Sequence, residues 1–358
     1  FSSSEALMTE LNYWTPTDEA LTWARSYLDP VQSAAVRLSQ HENKGAARIG
    51  LRVARYVDLS AARLAMLLDG LNAKQRAALG TLPALLHINS QHLPGYLSSK
   101  LPVYGVKGFE LNEMVERCGR LALSKELSEL NEPVERPLIE SVCFSSYVGT
   151  IGQRERVEVQ VYLVANVRGL GDAPLKRLLA RLEDISRWYR HANMSVGFTL
   201  LDPIWTAQGN FGVAQGDQAQ GALRLDRFYR DSFLLCGGVP VFWCTAPGTS
   251  SDQYTKAAKM IQRVDFERNL SFVDLGAVIL PKPAVRRRAM LGLLNHVSES
   301  PLRFVFDLVQ LTYGANASLP LAEHLKLAVF KQGPRSEVVD TFLFDFDCAM
   351  VVLNHHAE

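Results

Sequence analysis

The sequence predicts a mixed α/β fold of the α+β kind, in which a small sheet is flanked by helices. At 157–163, apolar residues alternate with polar ones, which is typical of a half-buried strand. Apolar residues then recur at three- and four-residue steps over 175–189, and a second strand pattern, MSVGFTLL, follows at 194–201. The order strand, helix, strand favours a mixed α/β core.

Helical patterns dominate residues 1–90. Thr17 and Asp18 are residue types that begin helices. This first helix is predicted to stop before Pro30, because a proline disfavours the helical conformation in the residue before it. The remaining segments of this region that are predicted to be helical are 31–38, 49–57, 64–71 and 73–86.

The chain is predicted to have three parts. They are an N-terminal helical bundle at 1–90, an α/β domain at 91–250 and a C-terminal helical domain at 251–358. In the middle part, the patterns predict a helix at 110–123, a surface loop at 206–221, a helix at 222–236 and a buried strand at 237–244. In the last part, helices are predicted at 254–268, 284–295, 300–313, 319–330 and 345–354.

Composition argues against two classes of partner. The 358 residues are 47% hydrophobic and 21% charged, and the formal net charge is +1. A chain with so little net charge has no global field that attracts nucleic acid. No apolar stretch approaches the roughly 20 residues that cross a bilayer, so no membrane span is predicted.

The cysteines and histidines do not predict a metal site. The five cysteines are scattered, no C-x-x-C occurs, and His87 and His92 have no acidic or thiol partner at ligand spacing. Buried free thiols in a reducing compartment are the simplest interpretation. Because the first residues, FSSSEALMTELNYW, also lack a signal-peptide pattern, we expect a cytoplasmic protein.

A turn rich in small residues precedes the strand at 157–163. It reads CFSSYVGTIGQRER over 143–156. A glycine-containing turn can hold a phosphate on its backbone N–H groups, and polar side chains at alternate strand positions can bind a metal. A plain hairpin at the edge of the sheet is the alternative interpretation.

Six segments carry a family resemblance. They are LPALLHINSQHLPGY at 82–96, VGTIGQ at 148–153, LRLDRFYRDSFLLCGGVPVFW at 223–243, VDFERNLSFVDLGAV at 264–278, SESPLRFVFDLVQLTYGA at 298–315 and DFDCAM at 345–350. In this order they resemble the N-terminal catalytic region of the class I adenylate cyclases of bacteria, and the third looks like that family's L-D-E-F-Y-R segment. The resemblance implies a nucleotidyltransferase fold similar to polymerase β. It also implies a Gly-Ser turn for the triphosphate, a D-x-D for Mg²⁺ on the next strand, and a further acid on the strand at 194–201.

This chain departs from the family pattern at the residues that carry the chemistry. With I-G-Q matched at 151–153, the Gly-Ser pair falls on Ser146 and Tyr147, and the two aspartates fall on Glu158 and Gln160. Glutamine has no negative charge and cannot replace a carboxylate that bridges two divalent ions. No acid lies within 194–201, although Asp202 follows it directly.

The sequence therefore predicts a catalytically degenerate adenylate cyclase-like protein, that is, a pseudoenzyme with no metal and no cofactor. We expect it to act in regulation or cAMP signalling by binding a protein, through residues 1–80, or a nucleotide. A nucleotide would be held by Gly149, Gly152, Arg154 and Arg156. The alternative is that the two arginines are only exposed charges at the tip of a hairpin.

Two other functions stay open at this stage. The first is an active cyclase or other nucleotidyltransferase that binds Mg²⁺ and forms cAMP, using Glu158 with Asp202 or Asp217. The second is a structural adaptor with no ligand. The D-x-D formed by Asp345 and Asp347 lies far along the chain, and we interpret it as acids that cap the start of a helix.

Overall fold

A four-stranded mixed sheet lies at the centre of the fold. The computed structural model describes residues 16–98, 103–153, 156–212, 218–263, 270–278, 308, 319–334 and 336–357. The strands of the sheet are β1 (Ile139–Ser145), β2 (Val157–Ala165), β3 (Met194–Leu201) and β4 (Phe233–Gly237), in the order β3-β2-β1-β4. β1 runs antiparallel to β2 and β4, whereas β2 and β3 are parallel. The predicted class, a mixed sheet flanked by helices with further helices at the N-terminus, is confirmed.

Two long helices pack against each other and against this sheet. They are α1 (Asp18–Ser39) and α2 (Lys44–Asp69). The prediction that the first helix stops before Pro30 is wrong, because α1 continues through the proline and buries Leu28 before it and Val31 after it. Burial of the apolar face outweighs the local cost of the proline. The break predicted between 57 and 64 is also wrong, since α2 is continuous there.

Shorter elements complete the described chain. The helices are α3 (Ala73–Gly80), α4 (Leu82–His87), α5 (Glu113–Leu123), α6 (Asp172–Tyr189), α7 (Pro203–Ala207), α8 (Gln218–Asp231), α9 (Ser251–Arg263), α10 (Leu321–Gln332), α11 (Ser336–Val339) and α12 (Thr341–Ala357). Short 3₁₀ turns occur at Arg190–Ala192 and Val241–Cys244. The predicted helix at 73–86 is two helices separated at Thr81. The loop predicted at 206–221 contains the end of α7 and the start of α8.

The strand predicted at 237–244 is displaced. The sheet strand here is β4, which ends at Gly237, a residue with a φ of 89°. A two-residue strand β5 (Val239–Pro240) then pairs with β6 (Phe272–Val273). The predicted helices at 284–295 and 300–313 lie outside the described residues, apart from 308.

Apolar side chains fill both sides of the sheet. One core contains Phe144 and Val161 with residues of α3, α4 and α6, and the other contains Leu234 and Trp243 with residues of α1 and α2. No helix in the described part of the chain is long and apolar enough to cross a membrane. The boundaries proposed near residues 90 and 250 stay a prediction.

Candidate functional site

The face of β2 and β3 that carries Glu158 and Gln160 is the first part of the site. Glu158 lies beside Ser195 and Gln160 beside Gly197 in the parallel register. The Glu158 side chain is exposed, whereas Gln160 is half-buried and its Nε2 donates a 3.0 Å hydrogen bond to Thr199 Oγ1.

Gly197 makes room for the Gln160 side chain. A Cβ atom on Gly197 would lie 3.0 Å from Gln160 Oε1, which is tighter than most real contacts. The remaining polar residues of β2 and β3 that point to this face, namely Tyr162, Ser195 and Thr199, carry no carboxylate. Within these two strands, the face therefore offers one carboxylate and one neutral amide.

The carboxylate of Asp202 is engaged by backbone N–H groups. It is completely buried and caps α7, since its Oδ1 accepts hydrogen bonds from the N–H groups of Ile204 and Trp205 at 3.0 and 3.1 Å. Its Oδ2 accepts from the N–H of Arg168 at 2.9 Å. Asp217 lies outside the described residues. In the described part of the chain, no group of three or more His, Cys, Asp or Glu side chains is arranged to hold a metal ion.

The turn after β1 is the second part of the site, and the chain itself satisfies its backbone donors. Ser146 Oγ joins the turn to β2 by donating to the carbonyl of Glu158 at 2.8 Å. The N–H groups of residues 148 to 153 donate, in order, to Ser146 Oγ, Gln153 Oε1, the Tyr147 carbonyl, Asp340 Oδ2, Thr150 Oγ1 and the Thr150 carbonyl, at 2.9 to 3.2 Å. These are the groups with which such a turn binds phosphate.

Tyr147 is held by two other elements. Its hydroxyl accepts a 3.0 Å hydrogen bond from Nη2 of Arg227 in α8, and Arg227 Nε donates to Asp231 at 2.9 Å. The ring of Phe342 in α12 lies edge-on to Tyr147, with 6.3 Å between centroids. In the L-D-E-F-Y-R segment of the resemblance, the glutamate falls on Arg227. Two positions at which this chain departs from the family pattern are thus in contact.

The residues predicted to bind a nucleotide are distributed around this turn. Gly149 has a φ of 80°, and Gly152 lies beneath the ring of Phe342. Arg156 is exposed directly before β2, whereas Arg154 lies outside the described residues. Their role in nucleotide binding stays a prediction.

Sequence reasoning missed a buried cluster of charges behind the turn. Arg230 is buried in α8, with its Nε 3.1 Å from Asp226 Oδ2, and it forms an ion pair with Asp345 of α12. Burial raises the pKa of Asp345 to about 7, although the Arg230 guanidinium opposes the shift. The signal was present in LDRFYRD, where Asp226 and Arg230, and also Arg227 and Asp231, are opposite charges four residues apart.

The interpretation of Asp345 as a capping acid is wrong. Asp345 lies inside α12, one turn after its start, and its carboxylate faces Arg230. The residue before the helix is Asp340, whose Oδ1 accepts from the N–H of Leu343 at 2.9 Å while Oδ2 accepts from the N–H of Ile151. Asp340 therefore caps the helix and also holds the turn.

His87, at the end of α4, contacts backbone and an aromatic ring. Its Nδ1 accepts from the N–H of Val106 at 3.1 Å, and its ring packs on Phe109. Burial lowers the pKa of His87, so the neutral imidazole is favoured. Arg181 of α6 fixes the segment that follows, because it donates to the carbonyls of Leu85 and Ile88.

Comparison with known proteins gives consistent matches. The family described as "Adenylate cyclase NT domain" matches residues 49–244. The chain is 24% identical over 278 residues to an adenylate cyclase of Yersinia intermedia, which covers 75% of this chain and 32% of the relative. It is 24% identical over 277 residues to one of Proteus mirabilis (76% and 31%) and over 212 residues to one of Haemophilus influenzae (56% and 25%). The chain thus spans roughly a third of these relatives or less. No solved structure matches it significantly.

Proposed function

We propose that this chain, which belongs to the adenylate cyclase N-terminal domain family, is a catalytically degenerate member that acts in regulation or signalling by binding a protein or a nucleotide. In this proposal its sheet and flanking helices are a nucleotidyltransferase arrangement similar to polymerase β, and the cyclase reaction has been lost. Residues 1–80 are the proposed surface for a protein partner.

The proposal rests above all on the polar face of β2 and β3. Phosphoryl transfer with two metal ions needs carboxylates that bridge the ions and neutralise the developing charge. Here Glu158 stands with Gln160, which is neutral and whose amide nitrogen is already hydrogen-bonded to Thr199. Such a donor set does not fit a bridged pair of Mg²⁺ ions. Asp202, the nearest acid in the sequence after β3, has both oxygens engaged by backbone N–H groups, Oδ1 in capping α7 and Oδ2 by Arg168.

The turn gives independent support. A triphosphate would need free N–H donors, and those of residues 148 to 153 already have acceptors. One acceptor is the carboxylate of Asp340, which occupies the Ile151 N–H and would repel a phosphate there. The Tyr147 ring also lies where the resemblance expects a small serine.

A cyclase assay tests the proposal. Purified chain is incubated with ATP and Mg²⁺ or Mn²⁺, beside an active adenylate cyclase as positive control, and cAMP is measured. We expect the wild-type chain to form no more cAMP than the Glu158→Gln variant. The matched control is Glu129→Gln, which changes an exposed acid elsewhere in the chain. Turnover that Glu158→Gln abolishes and Glu129→Gln leaves intact would contradict the proposal.

A thermal shift with nucleotides separates the two modes of action. A ligand that binds only the folded chain raises its melting temperature by mass action. A shift with ATP or cAMP that is reduced by Arg156→Gln would assign the nucleotide mode. The absence of any shift would favour a protein adaptor.

A further inference from the structure

A large cavity lies beside the turn, and neither Tyr147 nor Arg227 lines it. Its volume is about 880 Å³, and its walls come from α1, α2, the turn after β1 and the residues around Val339. Most of the wall is apolar, with Leu21 of α1 and Ala61, Ala62 and Met66 of α2. Small-molecule sites in proteins have volumes of roughly 300 to 1,000 Å³ and apolar walls with few polar groups. Glu158 and Gln160 do not line this cavity.

Two opposite charges stand in this apolar wall, one on each helix. Arg25 projects from α1 and Asp58 from α2. Among the described residues, neither side chain has an ion pair within 4 Å, and the only hydrogen bond to the Asp58 carboxylate is a long one of 3.4 Å from Gln32. The two charges are nevertheless close enough to interact: burial raises the pKa of Asp58, and the charges of Arg55 and Arg25 oppose that shift.

The other polar groups of the wall are already bonded. Both oxygens of Asp340 accept backbone N–H groups. Gln153 Oε1 accepts from Gly149, and Thr150 Oγ1 donates to the Tyr147 carbonyl. The wall thus carries one cation, Arg25, which is exposed, and two carboxylates, Asp58, which is half-buried, and Asp340. Because both oxygens of Asp340 are engaged by backbone N–H groups, the charged groups offered to a ligand are those of Arg25 and Asp58, which lie farther apart than an ion pair.

We propose that this cavity binds a zwitterionic small molecule, an α-amino acid with a large apolar side chain. Its carboxylate pairs with Arg25, its ammonium group with Asp58, and its side chain packs on Ala61, Ala62 and Met66. A purely anionic ligand would leave Asp58 unpaired beside it, and a purely cationic ligand would do the same to Arg25. The two alanines leave space, and methionine adapts its shape to a partner.

Matched ligands test the charge requirement directly. The full chain is titrated with L-tryptophan, L-phenylalanine and L-leucine, and with tryptamine and indole-3-propionate, by thermal shift and calorimetry. We expect at least one amino acid to bind and to raise the melting temperature. The analogues of tryptophan that lack the carboxylate or the ammonium group should bind about tenfold more weakly or worse. No binding by any of the three amino acids at millimolar concentration would overturn the proposal.

Variants assign each charge to its group. Arg25→Gln should remove the preference for tryptophan over tryptamine, whereas Asp58→Asn should remove the preference over indole-3-propionate. Ala62→Trp fills the cavity and should weaken binding of every ligand. Arg37→Gln and Asp29→Asn, which change exposed charges on α1, serve as matched controls with unchanged affinity. Equal binding of tryptophan and both analogues, or unchanged affinity in Ala62→Trp, would overturn the proposal.

Discussion

Lys326 is fully buried in α10, where its ammonium group has three neighbours. Nζ donates to Glu323 Oε1 at 3.0 Å and to Thr245 Oγ1 at 3.1 Å, and it lies 4.0 Å from the centre of the Phe242 ring. Burial lowers the pKa of Lys326 from 10.5 to about 8, although Glu323 opposes the shift. A single residue thus makes stability depend on pH in the alkaline range.

The direction of this dependence follows from proton linkage. Below pH 8, Lys326 is protonated in both the folded and the unfolded chain. Between about pH 8 and 10.5 the folded chain releases the proton first, so the contribution of Lys326 to the free energy of unfolding rises with pH, by at most about 3 kcal/mol. We expect the wild-type chain to gain stability relative to Lys326→Met over this range, as measured by urea unfolding.

The comparison with Lys326→Met removes an opposing effect. Burial raises the pKa of Cys143, Cys236 and Cys244, so unfolded thiols ionise first and stability falls above about pH 9 in both chains. Lys326→Met/Glu323→Gln is the second variant, because it leaves no unpaired carboxylate behind. Parallel stability profiles for wild type and both variants would mean that the folded pKa of Lys326 is near its ordinary value.

Some features of the site can be predicted from single residues, and others cannot. The departures from the family motif at Tyr147, Glu158 and Gln160 are differences in residue type. They can therefore be found by comparing the sequence with the motif. The contact between Tyr147 and Arg227 joins residues 80 positions apart and has no local pattern. Gln160 likewise depends on Gly197 of the neighbouring strand, which supplies the space for its side chain. The first contact depends on how α8 packs on the turn and the second on the register of β2 and β3, and a local sequence pattern predicts neither.

At the scale of elements, the turn after β1 packs directly against the start of α12. A Cβ atom on Gly152 would lie 2.5 Å from Cδ2 of the Phe342 ring, so only glycine fits beneath that ring. We expect Gly152→Ala to destabilise the chain by about 1 to 3 kcal/mol, because an added methyl forces the ring to move. Urea unfolding measures the change.

A double variant shows whether the clash is the cause. Gly152→Ala/Phe342→Leu should cost less than the sum of the two single changes, because the smaller side chain leaves room. Gly169→Ala is the matched control in another turn, where the nearest atom lies 3.8 Å away, and it should change stability by less than about 0.5 kcal/mol. Additive costs for the two substitutions would exclude the proposed packing of the turn on α12.

The elements that the sequence predicts well are those with a strong local pattern. The limits of β3 agree with the predicted 194–201, since an asparagine with left-handed backbone at 193 and the Asp202-Pro203 pair bound an apolar run. The sequence does not predict β1. This strand lies between β2 and β4 and is buried on both faces, so its apolar and polar residues do not alternate. The continuation of α1 through Pro30 depends on packing against α2, which no local rule contains.

At the scale of the whole molecule, Arg63 joins three parts of the chain that are distant in sequence. It lies buried in α2, and its guanidinium donates to the carbonyls of Arg230, in the last turn of α8, and Ser232, between α8 and β4, at 2.5 and 3.4 Å. It also donates to the carbonyls of Val338 and Val339, at the end of α11, at 3.1 Å each. The Arg63 guanidinium thus links the N-terminal helices to the sheet and to the C-terminal helices by hydrogen bonds.

Arg63→Met tests this joint. Methionine fills similar space but leaves four buried carbonyls without their donor, at about 1 kcal/mol or more each. We expect a loss of about 3 to 5 kcal/mol in the free energy of unfolding, measured in urea. Hydrogen exchange should become faster together in α2, in the residues from Arg230 to Leu234 and in those from Val338 to Phe344, because all three lose the same partner.

Arg52→Met is the matched control on the same helix. Arg52 is half-buried and donates one hydrogen bond, of 3.0 Å, to the carbonyl of Cys244, so its loss should cost only about 1 kcal/mol. If Arg63→Met costs no more than Arg52→Met, or if faster exchange stays within α2, the three parts are held together by apolar packing alone. If the expected loss occurs, the N-terminal helices are a structural part of the same folding unit as the sheet, and a protein partner can use only their exposed faces.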